Sequence, residues 1–67
     1  MNGAVRAVLL VETYSTGGRL KRDPPVPAGS IGVARPLYPG ARLLLFELPT
    51  GVRLVVPLTD VRELAPD

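Results

Sequence analysis

Short apolar runs with a period of two, bounded by prolines and glycines, dominate this sequence. Eight prolines and seven glycines are spread over 67 residues, and most of the prolines stand between apolar runs. The runs have the length of β-strands, and apolar and polar residues tend to alternate along them. This pattern predicts an all-β chain with no helix longer than a single turn.

The strand pattern is regular enough to place four strands and the turns between them. The predicted strands are residues 4–14, 31–35, 41–48 and 52–56. In the first strand the odd positions form the apolar face. Tyr38-Pro39-Gly40 carries proline and glycine where a type II turn places them, and residues 49–51 are predicted to close a hairpin. Pro57 has no amide to donate, so it is expected at a strand end or an unpaired edge.

Two segments fall outside the strand pattern. Residues 15–29 are predicted to form a long loop, which is uncommon in so small a domain and favours a functional role. Residues 59–64 are predicted to form one 3₁₀ or α turn that plugs the interior with Val61 and Leu64. Together these features predict one domain over residues 1–67, a small, partly open barrel of four to five strands.

This layout resembles a known group of folds. Residues 29–33 (GSIGV), then a β-hairpin, then residues 55–58 (VVPL) ahead of Val61 and Leu64, are similar to small bacterial SH3-like barrels. The group includes KOW-type ribosome and transcription modules and the barrel subunits of photosystem I and of ferredoxin–thioredoxin reductase. The resemblance spans residues 4–64 in layout. It implies an SH3-like fold and a role in binding or assembly.

The side-chain inventory argues against catalysis. The sequence contains no cysteine and no histidine, so disulfides, thiolate or imidazole metal sites and histidine acid–base chemistry are all excluded. Ser15 and Ser30 have no histidine to activate them. The remaining carboxylates have no spacing typical of a metal site or a catalytic pair. We therefore expect no enzymatic activity, no cofactor and no bound metal.

Composition also sets expectations about the cellular setting. No apolar run approaches the ~20 residues that a membrane helix needs, so a cytoplasmic chain with no membrane partner is expected. Arginine outnumbers lysine seven to one, glutamine is absent and Asn2 is the only asparagine. This bias favours a thermophilic source, although a GC-rich genome alone would produce the same arginine and proline content.

Positive charge is concentrated in the first part of the chain. Residues 1–42 carry six basic and two acidic side chains, and residues 43–67 carry two and four. A phosphate-binding surface would use five of the cations: Arg19, Lys21, Arg22, Arg35 and Arg42. The alternative is a solvated loop that keeps an apolar protein soluble. Only three aromatic residues are available to stack on bases, which weakens the nucleic-acid interpretation.

Apolar residues exceed what one small interior can hold. Residues 43–46 (LLLF) are apolar on both faces of the predicted strand, and residues 8–11 and 54–56 are similar. A protein interface is therefore predicted at Leu44, Phe46, Leu48 and Val55. The alternative is that Leu20, Val26, Leu37 and Leu64 fold over the outer face.

Three functions are compatible with these features. The favoured one is a non-catalytic interaction or assembly module that self-associates or joins a larger protein complex. The second is a nucleic-acid-binding accessory protein that uses the basic loop. The third is a small structural subunit of a multi-chain enzyme.

Overall fold

Antiparallel pairing of neighbouring strands builds the fold. A computed structural model describes residues 3–14 and 25–65 of the chain. The described residues form five strands: β1 (Val5–Leu9), β2 (Ile31–Pro36), β3 (Leu43–Glu47), β4 (Arg53–Pro57) and β5 (Val61–Glu63). They form one sheet in the order β4-β3-β2-β1-β5, curled into a half-barrel. The predicted all-β class is confirmed, and the architecture is consistent with a small, open SH3-like barrel.

Alternation along the strands separates an inner face from an outer face. The buried core consists of Ala7, Leu9, Val26, Ala34, Leu44, Phe46, Leu54 and Val56. Cross-strand partners share a face, so Phe46 packs beside Ala34 on one side and Leu54 on the other. No polar or charged side chain of the described segments is buried. The inner face is therefore held together by apolar contact alone.

The turns follow the local sequence signals. The Ala41 amide donates to the Tyr38 carbonyl oxygen over 2.9 Å, and Gly40 has a φ of 81°. A positive φ at the third position defines a type II turn, so this prediction is confirmed. The hairpin between β3 and β4 is closed by the Leu48 amide, which donates to the Val52 carbonyl oxygen over 2.9 Å.

The first strand is shorter than predicted. β1 ends at Leu9 rather than at residue 14, and beyond Leu10 the segment keeps only an isolated bridge. The Leu10 amide donates to the Asp60 carbonyl oxygen (2.8 Å), and Thr13 forms an isolated bridge with Val26. Val11, predicted on the apolar face, is therefore exposed. The Thr13 bridge places Val26 in the core, so Val26 does not cover the outer face as the alternative had it.

The C-terminal segment also differs from its prediction. The 3₁₀ turn spans Leu58–Asp60 and buries no residue. Val61 belongs to β5, where it pairs with Leu9 and packs against the core from a strand. The prediction of a turn that plugs the interior is therefore wrong, because this segment forms a strand that pairs with β1, which is distant in sequence. Leu64 is half-buried just after β5.

Gly32 allows β2 and β3 to approach closely. A Cβ atom at this buried position would collide with the Glu47 carbonyl oxygen and would lie 3.1 Å from the Phe46 ring. Glycine is the one residue that avoids this collision, because it has no Cβ atom. The glycine at this position of β2 thus has a steric reason.

Candidate interaction surface

The outer face of the sheet is apolar where β3 meets β4. Leu45 pairs with Val55, and Leu43 pairs with Pro57. We call these four residues the outer patch. Leu43 is 45% exposed and Val55 37%. Two neighbouring strands thus present a continuous apolar surface, as protein interfaces often do.

The predicted interface residues divide between the two faces. Leu44 and Phe46 are fully buried, so their assignment to an exposed interface is wrong. Leu48 is half-buried and packs against the core, whereas Val55 is exposed. The surface of β3 is formed instead by Leu43 and Leu45.

The correct face of β3 was readable from charged residues. Glu47 and Arg53 end the apolar runs of β3 and β4, and charged side chains rarely face a small core. Residues of the same parity as Glu47 should therefore point outward, which selects Leu43 and Leu45. The parity of Arg53 selects Val55 in the same way. This signal lies in the sequence and finds the outer patch without a structure.

An ion pair borders the outer patch. The Arg53 Nε atom lies 3.7 Å from a Glu47 carboxylate oxygen, and the two side chains are 67% and 45% exposed. A pair so open to water contributes little to stability. Its effect is to mark the end of the apolar surface with two opposite charges.

The predicted phosphate-binding cations are only partly placed. Arg19, Lys21 and Arg22 lie outside the described residues. Arg35 faces outward from β2, and Arg42 is exposed in the turn before β3. Their predicted proximity to the loop cations therefore stays a prediction.

Two further arginines lie on the outer face and were missed by the sequence interpretation. Val8 pairs with Arg62, and Arg6 pairs with Val33. Arg6 is thus a diagonal neighbour of both Arg62 and Arg35, at about 7–8 Å. We call Arg6, Arg35 and Arg62 the arginine diagonal. No local signal joins residues 6 and 62, because their proximity depends on the long-range pairing of β1 with β5.

The carboxylates are scattered over the described surface. Glu12 and Glu63 are exposed, Asp60 lies in the 3₁₀ turn, and Glu47 pairs with Arg53. Across residues 3–14 and 25–65, no three acidic side chains gather as a metal site would require. One shallow depression on the outer face, lined by Ala4, Val33, Arg35, Leu45 and Glu47, mixes apolar and charged groups.

Comparison with known proteins adds no family to this description. The chain matches no protein-family model, no curated protein and no solved structure. Within the described segments, no helix has the length and apolar character needed to cross a membrane.

Proposed function

We propose that this chain is a non-catalytic interaction module that binds protein, either a second copy or another subunit, through the outer patch. The observation that carries the proposal is the exposure of Leu43 and Val55 beside Leu45 on adjacent strands. A contiguous apolar surface costs free energy in water, and covering it with another chain removes that cost. The lack of histidine and cysteine supports the non-catalytic part.

The native mass of the tagged chain in cell extract tests this proposal. We expect wild-type chain to elute well above monomer size, and Leu43→Ser to shift toward monomer. Ile31→Ser is the matched control, since Ile31 is 47% exposed on β2, outside the patch, against 45% for Leu43. Monomer-sized elution of the wild type, or equal behaviour of the two variants, would exclude the patch as the binding surface.

Nucleic-acid binding is the second candidate, and the arginine diagonal is the observation that favours it. Arg6, Arg35 and Arg62 are exposed, and the structure places no described carboxylate within 4.0 Å of their charged groups. Regularly spaced guanidinium groups suit the phosphates of a nucleic-acid backbone.

A salt titration of RNA affinity tests the second candidate. Each lost phosphate contact should reduce the slope of log affinity against log salt by about 0.7–0.9. We expect Arg6/Arg35/Arg62→Ala to reduce the slope, and Arg19/Lys21/Arg22→Ala tests the loop in the same way. Arg53→Ala is the control, because Glu47 already neutralises that charge. No RNA binding by the wild type would end this candidate.

Two other expectations stay predictions. A cytoplasmic location is supported by the lack of cysteine, since secreted domains of this size are usually rich in disulfides. Cell fractionation checks it. The role of structural subunit in a multi-chain enzyme is checked by the identity of the proteins that co-elute with the chain.

A further inference from the structure

The free edge of β4 has a hydrogen-bonding pattern that can be derived from its neighbours. β4 is the last strand of the sheet on one side, so it pairs with β3 alone among the described strands. The Leu48 amide donates to Val52, and the Leu58 amide donates to Arg42 (2.8 Å). Antiparallel pairs alternate between bonded and non-bonded positions. The even residues of β4 therefore bond to β3, and the odd residues point their peptide groups away from it.

Among the described residues, three therefore form the unpaired edge of β4. Arg53 and Val55 each offer an amide and a carbonyl, and Pro57 offers a carbonyl only. Pro57 costs β3 no hydrogen bond, because the peptide group of an odd position faces away from β3. This explains how a proline is accommodated within the strand.

The other end of the sheet is a poorer docking edge. β5 has three residues, two of which are Arg62 and Glu63, and short, charged strands resist pairing. β4 has five residues; its free edge also carries a charge and a proline, Arg53 and Pro57, but Val55 at its centre offers both an amide and a carbonyl. An additional strand is therefore accommodated better at β4.

We infer that β4 pairs antiparallel with β4 of a second copy, about a two-fold axis at Val55. This inference rests on the proposed function and names the partner. Val55 would exchange two hydrogen bonds with Val55 of the other copy. Each Arg53 amide would donate to the opposite Pro57 carbonyl, which gives four hydrogen bonds in all. The two outer patches then lie side by side on one face of a continuous sheet, with the two Val55 side chains adjacent at the axis.

Alternative pairings of the same edge are worse. Shifting the register so that Arg53 faces Val55 also gives four hydrogen bonds, but it makes the two Arg53 side chains diagonal neighbours at about 7–8 Å. The register centred on Val55 separates them by about 13 Å along the strand, since their positions differ by four residues. Like charges are thereby kept apart.

Pairing with β5 of another copy fails for a different reason. The free hydrogen-bonding groups of β5 belong to Val61 and Glu63, because the even-numbered residues on either side, Asp60 and Leu64, bond to the β1 segment. Val61 lies on the inner face, whereas Val55 lies on the outer face. Bonded partners must share a face, so this arrangement would join the core side of one sheet to the outside of the next. The two-fold arrangement joins outer face to outer face.

Cysteine cross-linking tests the register directly, because the chain has no cysteine of its own. Residues in a bonded antiparallel pair have Cα atoms ~5.5 Å apart, within the range of a disulfide. We expect Val55→Cys to form a disulfide-linked dimer under oxidation, with the apparent mass doubled and restored by reduction. Arg53→Cys, on the same edge, should remain monomeric.

A matched control separates edge pairing from random collision. Val33→Cys places a thiol on the outer face of the central strand β2, where Val33 is 42% exposed against 37% for Val55. It should also remain monomeric. Equal cross-linking of the Val55 and Val33 variants, or faster cross-linking of the Arg53 variant, would overturn the inferred register.

A second variant tests the edge without a covalent bond. Pro57→Val restores one amide per copy, so the dimer gains two hydrogen bonds. At about 0.5–1.5 kcal/mol each, these should lower the dissociation constant by a factor between about 5 and about 150. An unchanged or larger dissociation constant would contradict edge pairing. If edge pairing fails this test but Leu43→Ser still dissociates the complex in extract, the proposed function through the outer patch is retained.

Discussion

At the scale of single residues, glycine and charged residues determine how strands approach each other and which side faces water more than large apolar residues do. Gly32 fixes how closely β2 and β3 approach, and Glu47 fixes which side of β3 faces water. Both residues are visible in the sequence. The leucines of β3 could not be assigned by hydrophobicity, because both of its faces are apolar. Their faces can be assigned from Glu47, because residues two and four positions before it lie on the same side of the strand. The interpretation based on apolar content alone misplaced Leu44 and Phe46.

Replacing Gly32 should destabilise the fold. Gly32→Val puts a branched side chain against the Glu47 carbonyl and the Phe46 ring. Overpacking of this kind typically costs about 1–3 kcal/mol. The free energy of unfolding in urea measures it. Val33→Thr, at the neighbouring exposed position, should change that free energy by at most about 0.5 kcal/mol. Equal stability of both variants would refute the close approach of β2 and β3.

At the scale of elements, local sequence signals predicted the strands and turns that depend on neighbouring residues. They could not predict the pairing of strands that are distant in sequence. The type II turn at Tyr38–Ala41 and the hairpin at Leu48–Val52 depend on neighbouring residues, and both could be predicted. β5 could not, because Val61–Glu63 becomes a strand only by pairing with β1 more than fifty residues away. The same pairing creates the arginine diagonal, so that surface was also invisible in the sequence.

The two faces of β3 should respond very differently to truncation. Phe46→Ala removes a fully buried ring and should cost about 3–5 kcal/mol. Leu43→Ala removes a side chain that is 45% exposed and should cost less than about 1 kcal/mol. Urea unfolding of both variants measures the difference. Similar losses would mean that the inner and outer faces of β3 are wrongly assigned.

At the scale of the whole molecule, a curled sheet has one interior and two free ends. The interior holds eight buried apolar residues among the described segments, while other apolar side chains remain on the outer face. The open architecture could be predicted from short strands and frequent turns. Which edge stays free could not, since strand order depends on contacts between distant residues. The outer patch and the β4 edge lie together, and this placement gives the chain one preferred side for binding.

Sedimentation equilibrium of the purified chain measures self-association through the β4 edge. We expect the average mass of the wild type to rise from monomer toward dimer with concentration. Val55→Lys places two like charges across the axis and should remain monomeric while its melting temperature is unchanged. A wild-type chain that stays monomeric up to high micromolar concentration, or a Val55→Lys variant that dimerises equally well, would rule out dimer formation through β4.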